Sequence, residues 1–198
     1  MPQVFIKDVV KLCDMSRVCL LGPLALIIAW ATIVVSIMVN PWFNLFKGAL
    51  SDLGALGLGT NYIFNTGLIL TGIVFAIYAG FLGRVSKNRV SAMASGVAIL
   101  AAAHLIMIAV FPSGTEPHRF VSLEFFLLAA ATIFFMSISF YADGEKFYGT
   151  SSTIIFLAGI LGSALIEWPS TALLEIYDIM LLTIWTILVS YYCMRKEC

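Results

Sequence analysis

The sequence predicts an all-α fold, a six-transmembrane-helix bundle. Composition, the length of the apolar runs and the placement of lysine and arginine predict it. Of 198 residues, 61% are hydrophobic and 11% charged, against roughly 45–50% and about 25% in soluble domains. Such a chain cannot cover itself with polar surface, so lipid is its expected solvent. Its formal net charge of zero argues against a nucleic-acid partner.

A helix needs about 20 apolar residues to cross the hydrocarbon of a bilayer. Six runs qualify: 18–39, 61–83, 90–112, 121–142, 151–169 and 171–193. No linker divides them, so residues 1–198 read as a single integral membrane domain. The first run follows Lys7, Lys11 and Arg17, as in a signal peptide. Its 22 residues exceed the roughly 7–15 of a signal core and no A-x-A site ends it, so it reads as a retained span.

Orientation follows from the cations. Lys7, Lys11, Arg17, Arg84, Lys87, Arg89, Lys146, Arg195 and Lys196 fall on one side, and only Lys47 and Arg119 on the other. The positive-inside rule then places a multi-pass protein in the cell membrane with both termini cytoplasmic. Cys13, Cys19, Cys193 and Cys198 lie near the cytoplasmic face without C-x-x-C spacing, which reads as reduced thiols.

The connecting segments follow in turn. Residues 1–17 alternate apolar Val4, Phe5, Val9 and Leu12 with Lys7, Asp8 and Lys11, as an interfacial segment does. The loop 40–60 opens "NPWFNLF", with Asn40 as helix N-cap and Pro41 at the first helical position. It predicts an interfacial amphipathic helix between spans one and two, with Trp42, Phe43 and Phe46 toward the acyl boundary. "DGEKFYGT" reads as a cytoplasmic turn, "PSGTEPHRF" as an outer turn, and "EWPST" as a tight link between spans five and six. Ala94, Ala98 and Ala102 on span three, and Ala158, Gly159, Gly162 and Ser163 on span five, mark close helix contacts.

The outer third gathers six acids, Asp52, Glu116, Glu124, Glu167, Glu175 and Asp178, and both histidines, His104 and His118. Glu175 and Asp178 are three apart on one helical face. Asp178 lies about 10 Å, and His104 about 12 Å, below their nearest turns at 1.5 Å per residue. Ionisable groups at such depth face the bundle interior or a wet cavity. Plain solvation is the simpler account of Glu116, His118 and Glu167 at the rim. The expected pocket is outward-facing, acidic and histidine-bearing: Ser51 and Asp52 as roof, Asn65, His104, Glu124, Glu175 and Asp178 as lining, His118 at the rim. His104, His118 and Asp178 are of the types that make a hydrolytic zinc site, so zinc is the cofactor they would suit, although no H-E-x-x-H motif is present. Ser51 lacks the G-x-S-x-G setting of an activated nucleophile.

"NPWFNLFKGALSDLGALG", "NYIFNTGLILTGI" and "FPSGTEPHRF" resemble the domain-of-unknown-function 998 family of prokaryotic multi-pass membrane proteins. The resemblance covers most of the chain. Its most specific pieces are Ser51-Asp52-Leu53-Gly54, Asn65 with Gly67, and Phe111-Pro112 followed by His118. It implies a topology and no activity. A more distant likeness is to the seven-span alkaline ceramidases and adiponectin receptors, metal hydrolases with a Ser, an Asp and three His. Two histidines leave a three-His zinc site impossible here.

The expected function is therefore binding of a lipid, small ligand or cation in the outer pocket, with membrane lipid as partner. The alternatives are a metal-dependent hydrolase of lipid head groups, a cation or proton-coupled transporter, and a structural or assembly partner of membrane proteins.

Overall fold

The structure, a computed structural model, describes residues 18–85 and 88–197. Six helices follow in order: α1 Leu21–Met38, α2 Asn61–Val85, α3 Arg89–Val110, α4 His118–Ala142, α5 Lys146–Leu165 and α6 Thr171–Glu197. Each is long and apolar enough to cross a membrane. The amphipathic segment 1–17, with Lys7, Lys11, Arg17 and Cys13, and also Lys87 and Cys198, lie outside the described residues.

Consecutive helices pack antiparallel, and α6 returns to touch α1 and α2 as well as α4 and α5. The loop 40–60, the turn 111–117 and the link 166–170 therefore share one end, here the acidic end. The start of α1 and the end of α6 share the other, the basic end. There Asn88 caps α3 by accepting the Ser91 N–H at 2.9 Å and donates to Asp143 at 2.8 Å. Gly144, with φ 77°, turns α4 into α5, and the Glu145 N–H closes the turn on the Phe140 carbonyl at 2.9 Å. Hence α5 begins at Lys146, five residues before the expected 151, and most of "DGEKFYGT" is helical. Tyr148 is buried, and Gly149 lies under the Tyr141 ring.

The basic half holds a dense core in which Trp185, Val189 and Tyr192 of α6 meet Tyr78, Met136, Phe140 and Tyr148. Two of its polar tips are paired across helices. Tyr78 bonds Ser190 at 2.9 Å, and Trp185 donates to Ser152 at 3.2 Å. Toward the acidic end the core divides. One cluster joins Ile33, Leu50, Leu53, Phe64 and Ala172, and a second joins Ala101, Leu105, Ile108, Val121 and Phe125. The small face of α3 is buried as expected, Ala94, Ala98 and Ala102 all being fully enclosed. Gly72 of α2 comes so near that a Cβ there would lie 3.0 Å from the Ala102 carbonyl. Close approach of this kind is how helices associate in lipid, where apolar burial gives no net gain.

Residues 40–60 do not form the expected interfacial helix. They fold as turns around a five-residue 3₁₀ helix, Leu50–Gly54. Asn40 ends α1 instead of starting a helix. Its side chain donates to the Ser36 carbonyl at 2.8 Å, then accepts from Trp42 at 3.0 Å and Thr60 at 2.8 Å. A carbonyl left open by the last helical turn has a stronger claim on that side chain than a new helix has. The apolar residues of the loop dock downward, with Leu53 wholly buried between α1, α2 and α6. Trp42 and Phe46 alone of the three aromatics stay exposed, while Phe43 packs against the buried cluster.

Reduced thiols were also expected, but Cys19 and Cys193 form a disulfide with Cα atoms 5.8 Å apart. A sequence separation of 174 hides their proximity. It arises because α6 closes onto α1.

Two outcomes follow. A Cβ at Gly67 would collide with the Thr32 side chain, whereas Gly96 has open space. Gly67→Ala should destabilise the purified protein by about 1–3 kcal/mol, read as a lowered thermal midpoint, while Gly96→Ala leaves it unchanged. Alkylation of denatured, unreduced chain should miss Cys19 and Cys193 and reach them only after reduction, as peptide mass spectrometry would report.

Candidate functional site

Helices α4 and α5 meet closely in the basic half, where Phe134 and Phe156 stack at 5.2 Å and Phe140 meets Tyr148 at 5.7 Å. Toward the acidic end they part, on the side that neither acidic-end cluster fills. A cavity of about 880 Å³ results between α4, α5 and α6. Its lower walls are apolar: Phe126, Ala130 and Ile133 from α4, Phe156 and Gly159 from α5, Leu181 and Leu182 from α6. Its polar lining collects at the acidic end, with His118, Arg119 and Ser122 on α4, Ser163 on α5, and Glu175 and Asp178 on α6. Ala49, Ser51, Asp52 and Ser113 border the mouth.

The roof is held by backbone bonding. Glu175 accepts the Leu50 N–H at 2.6 Å, and Asp52 accepts the Ala49 N–H at 2.9 Å. Two carboxylates thus satisfy the open amides of the 3₁₀ helix, where its dipole favours negative charge. Gly48 accepts the Ala172 N–H at 2.8 Å, and Ser170 donates to the Leu45 carbonyl. On the other flank Ser113 accepts the Leu56 N–H at 3.0 Å. Asn65 donates to the Gly54 carbonyl at 3.0 Å and Asn61 to that of Ala55 at 3.1 Å. Gly54 is required there, because a Cβ would strike the Asn65 side chain.

Five of the expected residues come together on the cavity: Ser51, Asp52, His118, Glu175 and Asp178. Three do not. Asn65 belongs to the far side of the roof, as above. Glu124 lies off the stripe that α4 turns to the cavity, Arg119, Ser122, Leu123, Phe126, Leu127 and Ala130, which follows helical spacing. His104 sits on α3, which contributes nothing to the cavity wall. Its Nδ1 donates to the Leu100 carbonyl one turn back at 2.9 Å. The zinc set His104, His118 and Asp178 is therefore not assembled, and among the described residues no three His, Cys, Asp or Glu side chains gather to hold a metal.

The structure adds residues that the sequence reading passed over. His118 donates from Nδ1 to the Phe111 carbonyl at 2.8 Å, leaving Nε2 3.5 Å from the Ser122 hydroxyl. The four-residue spacing of His118 and Ser122 was the available signal. Ser163 donates to the Asp178 carboxylate, at 3.1 and 3.3 Å to its two oxygens. Ser163 had read as part of a helix contact, but Gly162 makes that contact, lying against Tyr177. The three carboxylates are thus unlike. Glu175 holds backbone, Asp52 holds backbone and also accepts the Ser113 hydroxyl at 3.4 Å, while Asp178 is met by a hydroxyl alone and faces the cavity.

A model of a protein family of unknown function, DUF998, matches residues 23–192. No curated protein and no solved structure matches the chain.

If Glu175 anchors the roof, Glu175→Ala should raise amide hydrogen exchange across residues 48–56 by about tenfold or more, since a hydrogen bond to a charged group contributes about 1.5–3 kcal/mol. Asp178→Ala, which touches no roof amide, should leave that exchange unchanged.

Proposed function

The chain belongs to the DUF998 family, and from that premise we propose that this multi-pass membrane protein binds an amphiphile in the cleft between α4, α5 and α6. The carrying observation is the division of the lining, polar at the acidic end and apolar below. A volume of about 880 Å³ is in the range of small-molecule sites, roughly 300–1,000 Å³. Leu123, Leu127, Ile160 and Ala164 line the cleft and are also exposed, so its side opens between α4 and α5 toward the bilayer. An apolar chain can enter sideways while its polar end stays at the mouth. The bias of lysine and arginine supports an outer-leaflet position for that mouth.

Aromatic packing closes the cleft toward the basic end, through Phe134 with Phe156 and then the cluster around Phe140, Tyr148 and Tyr192. That closure supports binding over passage. A lipid hydrolase using His104, His118 and Asp178 draws no support, since His104 stands outside the cleft.

The test is to fill the cleft. Gly159 has room for a side chain, its nearest neighbour being Leu181 at 3.7 Å from a Cβ. Gly159→Phe and Ala130→Phe should each cut the lipid retained in native mass spectra by about tenfold relative to wild type and to Gly96→Phe on open surface. Equal retention in all four proteins would defeat the reading.

A further inference from the structure

The depth at which charge sits in the cleft constrains the occupant further, on the reading that the cleft holds an amphiphile. Asp178 is about 10 Å below the start of α6 at 1.5 Å per residue. One turn further down, Leu181 and Leu182 make the wall apolar, and across the cleft Phe126 and Gly159 do the same. Asp178 therefore marks the boundary between polar and apolar lining. It is half-buried and receives only side-chain donation from Ser163. Asp52 and Glu175, above it, bond roof amides. The cation on the lining, Arg119, is exposed at the rim in the first turn of α4.

Charge order along the cleft thus runs from Arg119 at the mouth, through two engaged carboxylates, to a carboxylate at the top of the apolar slot. A phosphodiester head would place an anion against Asp178, where like charges repel in a medium of low dielectric. A neutral alcohol would leave the carboxylate without its counter-charge. We infer that the cleft takes a long-chain amine, with a protonated amino group attached directly to the apolar chain. The ammonium meets Asp178, and the chain lies in the slot below. Carboxylate oxygens still have acceptor positions beyond the one hydroxyl they receive.

Three probes of equal length separate the head from the chain: decylamine, decanol and decanoate, measured by equilibrium dialysis against protein in phosphatidylcholine nanodiscs, with empty nanodiscs as blank. Decylamine should bind about tenfold more tightly than decanol, and decanoate most weakly. Asp178→Asn should bring decylamine to within about threefold of decanol while decanol binding, which also reports that the variant is folded, stays unchanged. Ser163→Ala should keep the amine preference. Decanol or decanoate binding as tightly as decylamine, or an amine preference that survives Asp178→Asn, would overturn the assignment of the head. If Gly159→Phe leaves the binding of all three probes untouched, the cleft itself is not the site and the preceding reading fails instead.

Discussion

The bond from the Leu50 N–H to the Glu175 carboxylate, at 2.6 Å, fastens a long connecting segment to the tip of the last helix. Backbone at the edge of a membrane-spanning bundle must find its partners within the protein or in the thin layer of interfacial water. The 40–60 loop finds them on four neighbours at once: the end of α1 through Asn40, the start of α2 through Asn61 and Asn65, the 111–117 turn through Ser113, and α6 through Glu175 and Ala172. Because those contacts fix the loop, Leu50 and Leu53 plug the space between α1, α2 and α6. The remaining gap, between α4, α5 and α6, is then a bounded cleft and not an open end of the bundle.

The two halves of the molecule manage polarity differently. In the basic half buried polar tips pair across helices, as in Tyr78 with Ser190 and Trp185 with Ser152, or bond back within their own helix, as Ser137 does to the Phe134 carbonyl, and the aromatic core leaves little space. In the acidic half the core splits and carboxylates stand close to apolar walls. Between helices that pack well one turn further on, a cleft of this size, open along its α4–α5 side, is a feature of shape. Small side chains produce it: Ala129, Ala130 and Gly159 face the gap where Phe134 and Phe156 fill it below.

Six spans were legible because lipid imposes length and apolarity on each helix independently of the others. Boundaries slipped where a single residue made the turn, as Gly144 does before α5. Ser51, Asp52, His118, Glu175 and Asp178 converge because the loop and the acidic-end turns of α4 and α6 meet at the same end of the bundle. His104 lies at a similar level but on a helix turned elsewhere, and depth carries no information about azimuth. Asn40 misled for a related reason. Its preference for helix ends is real, but whether it caps the helix before or after it depends on which backbone groups are left open. Cys19 and Cys193 were the hardest to read, since nothing local marks the return of α6 to α1.

That return has a topological consequence. With Cys19 joined to Cys193, the segment carrying all six helices is a covalent ring, and its two tails leave from neighbouring points. A protease that cuts any one connection, including the long 40–60 loop, would produce a nicked molecule whose parts travel as one species until the bond is reduced. The order of helices around the bundle is thus guarded twice, once by packing and once by a closed covalent circuit that no single scission divides in two.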